Sequence, residues 1–156
     1  MCGCITNRYV KSAAVFAATS LPVEDIFLRF VPLNQPAALK ELLMAKLEHS
    51  GAEEVTQITL LTFWLIELIL QMVEESASSE DTDLLHAELR SLLSERKIAK
   101  CLTPIRHKVY ELLSSFADHD TLLYYANETC DYDVIIDYYV RKKKPIEAIE
   151  VLEKCV

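Results

Sequence analysis

Leu39, Leu42, Leu43 and Leu47 fall on one stripe of a helical wheel, with Lys40, Glu41, Lys46 and Glu48 largely outside it, and the same period returns along almost the whole chain. The pattern predicts helices over residues 9–18, 23–31, 37–48, 54–75, 84–96, 103–116, 121–127, 132–142 and 146–154, about nine in all. Short connections separate them. Pro22, Pro32 and Pro36 bracket the early turns, because proline suits a first helical turn and disfavours helical geometry in the residue before it. His49, Ser50 and Gly51 read as a helix end, glycine taking the left-handed conformation most easily. Thr103 with Pro104, Asp118 or Asp120, Asp131, and Pro145 mark the later helix starts.

Three segments carry most of the expected core. Helix 54–75 is apolar around most of its circumference and should be the most enclosed element. Its run 58–73 resembles a membrane span only superficially: sixteen residues fall short of the ~20 that a bilayer core requires, and they include Glu67 and Gln71. Leu85, Leu89, Leu92 and Leu93 form the stripe of the next helix, with His86, Glu88, Arg90 and Glu95 mostly outside. Ile105, Val109, Leu112, Leu113 and Phe116 form that of the one after. The core is expected at Leu61, Trp64, Leu65, Leu68, Leu112, Leu113, Tyr125 and Tyr132. Residues 76–83 are small and acidic, without a large apolar side chain, and read as a mobile loop.

These amphipathic segments predict an all-α fold, an α-solenoid of antiparallel helix pairs forming one segment over residues 1–156. Composition agrees. Of the 156 residues 51% are apolar and only two are glycine, which favours helices over a turn-rich sheet. The net charge of -8 opposes binding to nucleic acid or to an anionic membrane through the whole-chain field. Five cysteines, Cys2, Cys4, Cys101, Cys130 and Cys155, lack the spacing of a disulfide scaffold and fit reduced thiols in the cytosol. The N-terminal residues carry no continuous apolar stretch of the secretory kind.

Candidate chemistry is sparse. His49, His86, His107 and His119 stand on separate helices or turns with no Cys or Asp spaced to complete a metal shell or a nucleophile pair. Cys2 and Cys4 offer two ligands at most, so a zinc site there needs another chain. Two glycines cannot build a phosphate loop. Tyr124, Tyr125, Tyr132, Tyr138 and Tyr139 suit the gaps between stacked helices, apolar body inward and hydroxyl near water. The basic run 141–144 suits the negative end of a helix dipole. No catalytic, cofactor-binding or metal residue is expected, and no cofactor or small-molecule substrate.

Several strings together resemble the family of vacuolar protein sorting-associated protein eighteen, a core subunit of the class C tethering complexes. Residues 7–30, NRYVKSAAVFAATSLPVEDIFLRF, are similar to that family's Tyr-containing helix with paired alanines and a following acidic-aliphatic helix. Residues 39–47 resemble its next leucine-rich helix, and 56–70, TQITLLTFWLIELIL, its TQxTxLxTWLxELxL string. Residues 119–152 resemble a later stretch through Asp120, Tyr125, Ala126, Asp131, Tyr132, Val134, Tyr138, Ala148 and Leu152. Pro145 departs by replacing an aromatic position, and Ile149 by replacing a leucine.

The resemblance implies a middle segment of a clathrin-heavy-chain-repeat solenoid, with neither the family's β-propeller nor its RING domain inside residues 1–156. It implies a non-enzymatic role with the other class C subunits of the HOPS and CORVET complexes, peripheral to the cytosolic face of late endosome, lysosome or vacuole. Ubiquitin-ligase activity does not carry over, because no residue here matches the RING motif. Two rival readings fit the same residues. One is a helical-repeat adaptor of another coat complex; the other is a small helical ligand-binding protein with a pocket lined by Trp64 and the tyrosines.

Overall fold

The structure is a computed structural model that describes residues 35–155. The expected helices 9–18 and 23–31, the Cys2 and Cys4 pair, and the first resembling string lie outside the described residues. Within them the chain is all-α, with no strand. Eight α-helices follow one another: α1 (Pro36–His49), α2 (Val55–Glu75), α3 (Ser79–Ser94), α4 (Arg96–Leu102), α5 (Arg106–Ser115), α6 (His119–Glu128), α7 (Tyr132–Arg141) and α8 (Pro145–Cys155). A 3-10 turn, Thr103–Ile105, leads into α5. The chain divides into two compact units, Met1–Leu85 and His86–Val156, with the boundary inside α3.

In the first unit α1 packs on α2. Leu39, Leu42, Leu43 and Leu47 are buried as the stripe predicts, but so are Lys40 and Lys46, which periodicity placed outside it. Long basic side chains lay their methylene stems along apolar surface, so charge alone does not assign a residue to the solvent face. On α2, Ile58, Leu61, Thr62, Leu65, Ile66, Leu68, Ile69 and Leu70 are buried. The helix is not enclosed all round: Leu60 is 67% exposed and Trp64 only half-buried. The helix runs 21 residues, beyond its sixteen-residue apolar run and close to the expected 54–75, so by length and composition it is able to cross a membrane. Length therefore does not argue against a span; the burial of one whole face against protein does.

Two element boundaries differ from expectation. Helix α3 begins at Ser79, which reduces the expected loop 76–83 to residues 76–78. The Ser78 hydroxyl accepts from the Asp81 N–H, and Glu80 and Asp81 place negative charge in the first turn. Ser-x-x-Asp is thus a capping signature, and the acidic residues belong to the helix that they initiate. Glu95 then takes an extended conformation, and α4 follows where no helix was expected. Its buried Ile98, Cys101 and Leu102 make a stripe one turn long, too short to register as periodicity.

The second unit is built on a repeat. Helices α5, α6, α7 and α8 begin at Arg106, His119, Tyr132 and Pro145, thirteen residues apart, and each packs on the next. The buried residues Val109, Leu122, Ile135 and Ala148 recur at the same interval. So do the turns. Ala117, Cys130 and Lys143 hold positive φ of 54°, 54° and 55°. After each, the next residue donates back five residues: Asp118 N to Leu113 O, Asp131 N to Ala126 O and Lys144 N to Tyr139 O, at 3.1, 2.8 and 2.9 Å. This Schellman closure satisfies helix-end carbonyls and turns the chain back within three residues. No described glycine has positive φ, Gly51 included, so the expected glycine helix end is not how this chain turns.

Candidate functional site

Two polar contacts fix the helix row of the second unit. Asp131 stands just before α7, as expected of a cap, yet its side chain makes no capping bond. Its Oδ2 instead accepts from the Tyr110 hydroxyl at 2.9 Å and lies 2.6 Å from Arg106 Nε. Thr129 Oγ1 lies 2.9 Å from the same phenol and also donates to Tyr125 O. The Tyr110 ring meets the Tyr125 ring at 5.4 Å. One carboxylate thereby ties the first two turns of α5 to the α6–α7 turn, with one charge-assisted hydrogen bond and one ion pair.

The second contact uses the polar edge of α3. His86, Arg90 and Ser94, spaced four apart on one face, all reach α6 or its cap. His86 Nε2 is 3.4 Å from Asp118 Oδ2, close enough for an ion pair, although the angle makes no hydrogen bond. The Arg90 guanidinium lies over the Tyr124 ring, 5.5 Å from its centre, and Ser94 Oγ is 2.6 Å from the Tyr124 hydroxyl. Asp118 does cap α6, its Oδ1 accepting from Thr121 N at 3.1 Å, which selects it over Asp120. Thr103 does not cap; its hydroxyl donates to Ala99 O within the preceding helix.

Burial pushes the Tyr110 phenol well above the ordinary tyrosine range, with Asp131 adding to the shift, and burial also raises that of Tyr125. A phenol held protonated so firmly is a structural donor, poorly matched to proton transfer near neutral pH. The histidines do not converge: His49 bonds Ala45 O in its own helix, His107 is exposed, and the His119 ring meets that of Tyr138 at a tilt, 5.3 Å between centres. Among the described residues no group of three or more His, Cys, Asp or Glu is placed to hold a metal ion.

Of the expected core residues, Leu61, Leu65, Leu68, Leu113 and Tyr125 are buried, whereas Trp64, Leu112 and Tyr132 are half-buried. Trp64 belongs to the first unit, and Tyr124, Tyr125, Tyr132, Tyr138 and Tyr139 belong to the second. Tyr110, the centre of the polar lock, was not among the residues singled out from the sequence. Its spacing of three from Leu113 was the available signal.

The family model described as VPS18, alpha-solenoid domain, first half, matches residues 5–131. The vacuolar protein sorting-associated protein 18 homolog of Danio rerio is 35% identical over 156 residues, covering 97% of this chain and 16% of that protein. Vacuolar sorting protein 18 of Arabidopsis thaliana is 26% identical over 155 residues, 95% of this chain and 16% of that protein. Vacuolar membrane protein pep3 of Schizosaccharomyces pombe is 26% identical over 157 residues, 96% and 17% respectively. The chain spans about a sixth of the length of these curated relatives. No solved structure matches it.

Proposed function

The chain belongs to the VPS18 family, within the first half of that family's α-solenoid, and from that membership we propose that it is a non-enzymatic scaffold segment of a membrane-tethering complex subunit. It serves vesicle docking and fusion and protein trafficking to endosomes, lysosomes or the vacuole. Its partners are the other class C subunits of the HOPS and CORVET complexes, and it sits peripherally at the cytosolic face of those membranes.

The observation that carries the reading is the family match over 5–131, joined by relatives from animal, plant and yeast that align along nearly the whole chain. The geometry suits the role. Helices stacked in sequence present ridges that a partner helix packs against, and polar side chains of the second unit, Tyr110, Asp131, Arg106, Ser94 and Tyr124, are spent on contacts between its helices. The test is a pulldown with class C subunits as prey and the folded chain as bait. Recovery that is lost when a core residue such as Leu113 is replaced by Asp supports the role. A folded bait that retains none of them defeats it.

A further inference from the structure

The α7–α8 turn breaks the thirteen-residue pattern of its predecessors in two ways. Val140 occupies the register position of Ser114 and Asn127, and Ile146 that of His107, Asp120 and Asp133. All five of those polar residues are exposed; Val140 and Ile146 are exposed too, at 59% and 68%. Two aliphatic side chains thus stand where the repeat otherwise keeps polar ones. Between them lie Arg141, Lys142, Lys143 and Lys144, where the preceding turns carry Glu128 to Asp131 and Ser115 to Asp118.

Helix electrostatics accounts for only part of this. Arg141 at the end of α7 is favoured by the dipole, but Lys144 precedes the first turn of α8, where cations are disfavoured and the equivalent residues are Asp118 and Asp131. Packing of a further helix against α8 accounts for none of it. Ile149 and Leu152 occupy the register of Tyr110 and Leu113, which face the following helix, whereas Val140 and Ile146 hold solvent positions. Residues 140–146 are seven consecutive exposed residues, so the feature is a projecting end and not a groove. Arg141 pairs with Asp137 at 2.8 Å and Lys144 with Glu147 at 3.7 Å, both in solvent, where such pairs exchange readily for other anions. Lys142 lies over the Tyr138 ring at 5.9 Å. The residues His86–Val156 carry eleven Lys and Arg against twelve Asp and Glu, net -1, so most of the chain's -8 lies elsewhere.

We propose that this turn seats directly on an anionic lipid surface, the four cations meeting headgroup phosphates while Val140 and Ile146 enter the apolar boundary beneath. An exposed end carrying cations flanked on both sides by aliphatic residues matches a membrane interface better than an acidic peptide, which needs a groove or a free edge to lie in. The inference is independent of the tethering role: a solenoid docked only through its partners has no use for this turn.

Flotation of the full chain with phosphatidylcholine vesicles, with and without phosphatidylserine, tests it. The chain is expected to rise with phosphatidylserine vesicles only, and less so as salt increases. Lys142→Glu with Lys143→Glu should lower the affinity by at least roughly fivefold per lysine; Lys142→Arg with Lys143→Arg should retain it. Val140→Ser with Ile146→Ser should lower it with the charge unchanged, all variants keeping wild-type helicity by circular dichroism. Failure of the folded wild type to rise, equal recovery on neutral vesicles, or binding indifferent to the lysine reversal would overturn the proposal. The last outcome would point to insertion through α2, which contains no Lys or Arg. Capture on immobilised polyglutamate without vesicle recovery would also overturn it and assign the turn to an acidic protein.

Discussion

At Asp131 a single carboxylate is contested by a helix end, a phenol and a guanidinium, and the phenol and guanidinium win. An exposed cap is worth about 1 kcal/mol, whereas the part-buried hydrogen bond from the Tyr110 phenol to the charged carboxylate falls in the range of about 1.5–3 kcal/mol. Tyr110→Phe should therefore lower the unfolding free energy by about 1–2 kcal/mol in urea titration. Asp131→Ala should cost more, because it removes both the phenol's charged acceptor and the ion-pair partner of Arg106. The same phenol predicts an alkaline weakness. Its folded pKa lies above the unfolded value near 10, so the folded state holds the proton longer; its contribution is complete below pH ~10 and declines as pH rises beyond it. Urea midpoints at pH 9 and 11 should differ more for the wild type than for Tyr110→Phe, and equal differences would rule the linkage out. Thr62 poses the opposite case. Its hydroxyl is fully buried on α2 with no hydrogen-bond partner, so Thr62→Val should stabilise the protein by roughly 1 kcal/mol in the same assay.

Each helix of the second unit is only ten or eleven residues from α5 onward, too short to persist alone in water. Such helices exist because each buries a stripe against the next and because the turns close their ends. Those turns hold Ala117, Cys130 and Lys143 in the left-handed region, at a cost of roughly 1 kcal/mol for any residue with a Cβ. Replacing any of them with glycine removes that cost, less what glycine adds to the freedom of the unfolded chain. A gain of up to about 1 kcal/mol is expected at each. Ala117→Val should destabilise instead, since a β-branched side chain fits that region worst. Denaturation of the three glycine variants, singly and together, checks this; uniform losses would show that the turns are not strained.

Among the described residues, large apolar side chains are exposed in both units. Leu60 and Leu84 belong to the first unit; Ile149 and Leu152 lie on α8 at register positions that earlier helices cover with their successor. Open ends of a helix row associate readily, as terminal capping repeats exist to prevent. The isolated chain is expected to self-associate, measured as a concentration-dependent rise in light scattering. Ile149→Glu with Leu152→Glu should reduce that rise, and an unchanged curve would place the contact on the first unit.

The sequence by itself determined the class of this protein. Helical period, scarce glycine and the capping residues Asp118 and Pro145 act within a few residues of themselves, so they are legible without a fold. The family resemblance was legible for a related reason, since strings such as 56–70 record a buried helix face residue by residue. Only tertiary structure decided the rest. Lys46 and Lys40 are buried, Asp131 is drawn from its cap, and Cys130 turns left-handed, because in each case a neighbour distant in sequence or a closing hydrogen bond outweighs a local preference of about 1 kcal/mol. Propensity is local and weak; packing couples residues far apart, and its sum is what selects among the conformations that the local pattern allows.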